Sequence, residues 1–148
     1  MLLLAAHGQA RPGCQVVPKT LAAMHGCYRP LLVFSPSATD SRLRRQSALL
    51  DDAADDMMDR FVLFTPLPGT THGLETPLDA PYTVVDAQEK SAMRARFHVA
   101  PQEFEVLLLN EDGAVVMHSE RPVSADRLNA LIDRMPKRQA EMRRPHAN

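Results

Sequence analysis

The sequence predicts one α/β domain, with a central four-stranded mixed sheet and helices on both faces. Three short apolar runs, at residues 31–34, 61–64 and 104–109, have the length and composition of strands buried on both faces. Segments with helical spacing of apolar residues lie between and after them. The Asn-Glu-Asp-Gly turn at 110–113 predicts a fourth strand that returns antiparallel to the third.

The first predicted helix covers residues 40 to about 59, which contain no Gly or Pro. It follows the first strand, and the second strand follows it, so the two strands and the helix predict a right-handed parallel unit. The second strand is expected to end at Pro66. The apolar residues of this helix form one stripe: Leu43, Leu50, Ala54 and Met57, widened by Leu49 and Ala53.

A long loop, a second helix and a hairpin follow. Residues 66–81 hold four prolines and two glycines and have no period, which is typical of a functional or mobile loop. The second helix is predicted at 86–97, and residues 114–118 return as the fourth strand. Ser124 can cap a last helix that is buried through Leu128, Leu131, Ile132 and Met135. This order of elements, βαβ-α-ββα, is the thioredoxin-like arrangement, and residues 35–46 fall where its redox motif normally lies.

Size and charge exclude several classes of protein. The chain of 148 residues is long enough for one domain with a real core, and its net charge of −1 gives no basic field, so we expect no nucleic-acid partner. No apolar stretch has the length that a bilayer span needs. We divide the chain into a leader or irregular entry segment (1–28), the thioredoxin-like domain (29–136) and a basic C-terminal tail (137–148).

The N-terminus and the cysteines bear on location. Residues 1–10 resemble the end of a truncated signal peptide, which predicts a periplasmic or secreted protein; without export the protein is cytoplasmic. Cys14 and Cys27 fit neither a CxxC motif nor a zinc site. They form either one disulfide, worth about 3 kcal/mol, or two free thiols. The six histidines lack metal-ligand spacing, so we expect no metal and no cofactor.

Three motifs resemble a known family. They are "RPLLVFSPSATDSRLRRQ", "FEVLLLNEDGAVVMHSERPVSADRLNALID" and "MPKRQAEMR". They are similar to a bacterial thioredoxin-like family known as a domain of unknown function (the 4174 type), related to the peroxiredoxin-like module of sushi-repeat secreted proteins. The resemblance covers roughly residues 28–144 and implies a fold but no settled activity. In its recurring pattern the residues that accompany Asp40 and Gln46 are Asp133, Pro136, Arg138 and Glu141.

The start of the first helix suggests an anion pocket. Three arginines crowd its first turns and five aspartates crowd its last, both of the wrong sign for the helix dipole. Such exceptions are expected at functional sites. The predicted pocket combines free N–H groups at 37–41, hydroxyls of Ser37 and Thr39, and Arg42 as the counter-charge. A simpler interpretation is a solvated helix that Ser37, Thr39 and Asp40 merely cap.

The C-terminal tail has three interpretations. It is a weak patch for anionic lipid or nucleic acid, or a solubilising and partly frayed end with one or two structural ion pairs. Alternatively, it completes a site at residues 35–46, which we name the opening loop, through Arg138 and Glu141 with Gln46. Its basic residues are Arg134, Lys137, Arg138, Arg143 and Arg144.

Function is predicted from what the opening loop lacks. Thr39 and Arg42 stand where a redox thioredoxin has its two cysteines, and a hydroxyl cannot replace a thiolate. We therefore expect the absence of cysteines to exclude dithiol–disulfide exchange at this loop. The sequence favours a binding or adaptor module for an unknown protein or a small anionic ligand. The alternatives are a peroxiredoxin-like enzyme that uses residues 35–46, and a membrane-surface protein recruited by its basic tail.

Overall fold

The computed structural model describes residues 12–144, so the suggested signal segment and residues 145–148 of the tail lie outside the described part. None of the described helices is long and apolar enough to cross a bilayer. The elements in chain order are α1 (Leu21–Met24), β1 (Arg29–Ser37), α2 (Ser41–Asp51), α3 (Ala54–Asp59), β2 (Val62–Thr70), α4 (Ala87–Phe97), β3 (Glu105–Leu109), β4 (Val115–Ser119), α5 (Ala125–Asp133) and α6 (Pro136–Arg143).

The predicted four-stranded mixed sheet is confirmed. Its strand order is β2-β1-β3-β4. β1 runs parallel to β2 and antiparallel to β3, which pairs antiparallel with β4. The carboxyl ends of β1 and β2 and the start of β3 therefore lie at one edge of the sheet. The starts of β1 and β2 and the end of β3 lie at the other.

β1 lies in the middle of the core, and its side chains alternate between two apolar clusters. Leu31 and Val33 pack with residues of α2, α3 and α5. Leu32 and Phe34 pack on the opposite face with residues that include Met24 and Met93, from α1 and α4. Because helices cover both faces, the strand has no solvated side, which explains its wholly apolar run.

β2 is longer than predicted, since it continues through Pro66 and Pro68 to Thr70. The Phe64 N–H points away from β1 and donates to the Pro81 carbonyl at 3.0 Å. Residues two and four positions further along a strand point the same way, so the two prolines stand where no N–H is needed for the β1 ladder. The expectation that Pro66 ends the strand is wrong because β2 is an edge strand.

The first predicted helix is two helices, α2 and α3. The break lies at Asp52 and Ala53, and Ala53 has the non-helical dihedrals φ −125° and ψ 30°. Just before the break, the Asp51 carboxylate accepts hydrogen bonds at 2.8 Å from three backbone N–H groups. These belong to the loop after β2, at Leu78, Asp79 and Ala80. Nothing in the sequence marks this break, because neither Gly nor Pro is present.

Two helices are present that the sequence did not predict, and the predicted caps are in place. α1 is a single turn and α6 begins with Pro136, a residue suited to a first helical position. Ser124 accepts a hydrogen bond from the Arg127 N–H at the start of α5, as expected. α4 begins after Asp86 and ends at Phe97, and the next residue, His98, takes the left-handed conformation with φ 58°.

Candidate functional site

Three loops meet at the carboxyl ends of β1 and β2. The Ala38 N–H donates to the Thr70 carbonyl at 2.7 Å, which joins the first two loops. A Cβ on Gly69 would lie only 2.5 Å from the Pro36 oxygen, so only glycine allows the first two loops to approach this closely, and the Pro101 oxygen of the third loop would be in ordinary contact at 3.6 Å. Open α/β sheets commonly bind ligands at this edge. We name this region the carboxyl-end surface: residues 36–42, 69–74 and 98–104.

The start of α2 already holds an anion, the carboxylate of Asp40. The Arg42 N–H donates to Asp40 Oδ1 at 2.9 Å, and the Arg42 guanidinium donates to both carboxylate oxygens at 2.9 and 2.7 Å. The hydrogen bond from this guanidinium is the main reason why the pKa of Asp40 lies below its usual value, against the opposing effect of burial. An external anion would have to displace this carboxylate before it reached the helix N-terminus.

The other predicted residues of the loop lie close by. Ser37 Oγ and Thr39 Oγ1 are 3.4 Å apart, and Thr39 is exposed. The guanidinium carbon of Arg42 lies 4.8 Å from the centre of the Phe104 ring. Phe104 begins the approach to β3, so this cation–π contact links the first loop to the third.

Gln46 is buried inside the molecule rather than at the surface. Its side chain is 0% exposed, its amide nitrogen donates to the Val123 carbonyl at 2.9 Å, and its amide oxygen accepts from the Val123 N–H at 2.8 Å. Both backbone groups of Val123 are thereby satisfied just before α5. The contacts of Gln46 therefore hold the segment that leads into α5.

Arg138 and Glu141 lie at the opposite edge of the sheet, in a group of charged residues that we name the amino-end network. Arg29 donates to Glu111 at 2.9 Å and to Glu141 at 3.0 Å, and Arg138 donates to Asp59 at 2.7 Å. The seven predicted site residues therefore do not form one pocket. The network consists of Arg29, Arg60, Arg138, Asp59, Asp133, Glu111 and Glu141.

This network also fixes α6. Arg138 is only 5% exposed, and it bonds to the side chain of Asp59, the carbonyl of Asp59 and the side chain of Asp133. The structural ion pairs expected of the basic tail are therefore present, and the part of the tail within α6 is an anchored helix rather than a frayed end.

Cys14 and Cys27 are bonded to each other, and this overturns one expectation. The disulfide lies just before β1, at the sheet edge opposite Thr39. Tyr28 supports it, because its hydroxyl donates to the Gln15 carbonyl at 2.6 Å. The expectation that missing cysteines argue against an enzyme is wrong as stated, since the chain does contain a dithiol–disulfide pair. That pair lies outside the opening loop.

Sequence reasoning missed two cations at the carboxyl-end surface. Lys90 Nζ of α4 donates to the Pro68 carbonyl at 2.5 Å. Arg94, one turn later, donates to the carbonyls of Ser35, Leu67 and Ala100 at 2.9 to 3.0 Å. Burial lowers the pKa of both groups, and the neighbouring Arg94 lowers that of Lys90 further. The signal in the sequence was a like-charge pair four residues apart on a helix.

Comparison with known proteins supports the fold. The structure is similar to thioredoxin peroxidase I of Plasmodium yoelii, with a TM-score of 0.57, 19% sequence identity, and coverage of 86% of this chain and 82% of that chain. At this identity the likeness shows the fold alone. No curated protein matches the sequence. The model of the family described as domain of unknown function DUF4174 matches residues 20–141, most of the described part of the chain. The protein is therefore a thioredoxin-like member of the DUF4174 family.

Proposed function

We propose that this protein is a binding module that engages its ligand at the carboxyl-end surface. One observation carries the proposal: at the start of α2, a backbone N–H of the kind that would stabilise a thiolate is bonded to the Asp40 carboxylate instead. A thiolate at a helix N-terminus is stabilised by the first free N–H groups of the helix. Asp40 takes up the Arg42 N–H itself, and Thr39 presents a hydroxyl where the thiol would stand.

The surface is suited to binding because it is both exposed and held in place. Backbone bonding between Ala38 and Thr70, the tight approach at Gly69 and the contact of Arg42 with Phe104 tie its loops together. A site whose geometry is fixed before the ligand arrives loses less entropy on binding. The polar or small residues that it exposes are Thr39, Ser41, Arg42, Gly69, Thr70, Thr71, His72, Gly73, His98, Gln102 and Glu103.

The test is to map where a natural ligand binds. Isotopically labelled protein is titrated with fractionated extract of the cells that make it, and amide shifts are followed by NMR. We expect shifts to cluster at residues 36–42, 69–74 and 98–104. Shifts confined to the surroundings of Cys14 and Cys27, or none with any fraction, overturn the proposal.

A parallel assay addresses redox chemistry. Peroxide consumption with dithiothreitol is measured for the wild type and for the double variant Cys14→Ser/Cys27→Ser. A binding module gives the same rate for both, equal to that of buffer. Faster consumption by the wild type that the double variant loses makes the disulfide a reaction centre, and the proposal fails.

We also propose that the protein is exported to the periplasm or secreted. The Cys14–Cys27 disulfide supports this location, because such bonds persist in oxidising compartments. Thiol alkylation in intact cells, followed by mass spectrometry of the fractionated protein, tests the location. Both thiols alkylated in a cytoplasmic fraction would rule out export.

A further inference from the structure

We propose that Lys90 and Arg94 form an anion-binding site that receives a phosphate or carboxylate group of the ligand. The inference rests on the proposed function, because the two cations lie behind the strand ends that form the carboxyl-end surface. It assigns a chemical class to the ligand, and it places the anion beside α4 rather than at the N-terminus of α2.

The pair has hydrogen-bond donors to spare. A guanidinium has five N–H donors and an ammonium has three. Three donors of Arg94 bind the carbonyls of Ser35, Leu67 and Ala100, and one of Lys90 binds that of Pro68. Two donors remain on each side chain, and both residues are partly exposed.

The pair also lacks a counter-charge. Among residues 12–144 no carboxylate lies within 4.0 Å of either cation. Glu103 attracts Arg94 from a greater distance, and its carboxylate accepts the Ala100 N–H instead. Carbonyl dipoles supply only partial charges, so the two partly buried cations keep a positive charge that the more distant Glu103 compensates only in part.

Two physical costs accompany this arrangement. Like charges four residues apart destabilise a helix, and burial disfavours the charged form of each group, as the lowered pKa values of Lys90 and Arg94 reflect. Elsewhere in the described part of the chain the buried cations Arg29 and Arg138 are paired with carboxylates. A bound oxyanion would supply the missing partner for Lys90 and Arg94 through charge-assisted hydrogen bonds.

The position fits a ligand that lies across the strand ends. Lys90 reaches the backbone oxygen of Pro68, directly before the exposed Gly69, and Arg94 reaches that of Ala100, in the third loop. A ligand whose neutral part contacts residues 69–74 would thus have its charged group near the pair.

Binding of pyrophosphate and citrate, as probes of the phosphate and carboxylate classes, tests the site. Each is titrated into the folded protein at low ionic strength, with sodium chloride at matched ionic strength as the screening control. Amide shifts at 67–70 and 98–102 give the dissociation constant. We expect binding that Lys90→Gln weakens about ten-fold, the loss of one charge-assisted hydrogen bond, and that Lys90→Arg restores.

Lys19→Gln is the matched control. Lys19 also donates to a backbone carbonyl, that of Val84, but does so at an exposed position. It should leave the dissociation constants unchanged. Equal loss in Lys19→Gln and Lys90→Gln, or no binding of either probe to the wild type, overturns the site.

The two proposals fail separately. If neither probe binds but the extract fraction still shifts residues 36–42 and 69–74, only the anionic class is lost. If the probes bind and the extract ligand maps elsewhere, the anion site stands but the proposed function does not. The tighter of the two probes identifies the source of the charge.

Discussion

The cations at the two edges of the sheet have different partners. At the amino end, Arg29 is 1% exposed and contacts two carboxylates, those of Glu111 and Glu141. At the carboxyl end, Lys90 and Arg94 donate to backbone carbonyls, and the guanidinium of Arg94 also lies over the Phe34 ring. Arg29 is therefore paired with carboxylates at the amino end, whereas Lys90 and Arg94 are hydrogen-bonded to carbonyls at the carboxyl end.

From this difference we expect Arg29 to stabilise the fold and the proposed Lys90–Arg94 site to bind a ligand. A buried ion pair whose partners are all internal joins elements, and here it joins β1, α3, α5 and α6. Arg94 joins α4 to β1, β2 and the third loop through carbonyls instead, and a cation without a close internal carboxylate can also bind an external anion. The comparison predicts that variants at the amino end change stability, while Lys90→Gln changes binding.

The largest effect is expected for Arg29→Met, which removes the centre of the amino-end network. Glu111 would remain buried without a cation, so the free energy of unfolding should fall by about 3–5 kcal/mol. Urea denaturation followed by circular dichroism measures it. Arg42→Met is the matched control at the carboxyl end, because the side chain of Arg42 is 45% exposed; its cost should be about 1 kcal/mol or less. Equal losses for the two variants would contradict the comparison.

A smaller loss is expected when the disulfide is removed. Cys14 and Cys27 are separated by 13 residues, and a loop of this size predicts about 3 kcal/mol of stabilisation. The double variant Cys14→Ser/Cys27→Ser should melt at a lower temperature, and reduction should lower the wild type to the same value. Amide shifts at residues 36–42 should not change, since they lie at the other edge. Changes there would mean that the two edges are coupled.

Gln46→Leu should lower the free energy of unfolding by about 2 kcal/mol. This loss lies between those expected for Arg29→Met and for Arg42→Met. The substitution keeps the volume but leaves the N–H and the carbonyl of Val123 without their partners. Ser47→Ala, one position later and not fully buried, serves as the control. Thermal unfolding compares the two, and equal melting temperatures would show that water replaces the amide.

Much of the fold was predictable because it follows from local patterns. Wholly apolar runs gave β1 and β3, and Ser124 marked the start of α5. The break between α2 and α3 was not predictable, because it coincides with bonds from Asp51 to a loop 27 or more residues away. The extension of β2 through Pro66 required knowing that the strand lies at the edge.

The candidate site was harder to predict than the fold. The sequence placed Ser37, Thr39, Asp40 and Arg42 together correctly in space, since they are neighbours in the chain. It also grouped them with Arg138 and Glu141, which are distant in the fold, because a resemblance gives no distances. Lys90 and Arg94 were overlooked because a cation on a helix usually faces water, and only tertiary structure shows that these two point to strand ends.

The smallest predicted effect is a pH dependence of the free energy of unfolding, and it differs between Asp40 at the carboxyl end and Asp133 at the amino end. The folded pKa of Asp40 lies below its ordinary value of 3.8, chiefly because of the Arg42 guanidinium, and that of Asp133 is lowered chiefly by Arg60. A lowered folded pKa gives stability that is present above pH 4 and is lost as the pH falls, because the unfolded chain takes up the proton first. Asp40→Asn keeps a capping oxygen, so at pH 7 it should cost about 1 kcal/mol or less.

Between pH 5 and 2 the unfolding free energy of both Asp40→Asn and Asp133→Asn should fall less steeply than that of the wild type. Only Asp133→Asn should also lose clear stability at pH 7, because it leaves the half-buried Arg60 and the buried Arg138 with one partner fewer. Asp52→Asn, which removes none of these bonds, should keep the stability of the wild type at pH 7. A loss at pH 7 for Asp40→Asn as large as that for Asp133→Asn would mean that the opening loop holds the fold together as the amino-end network does. The carboxyl-end surface would then be a structural element rather than a site kept available for a ligand.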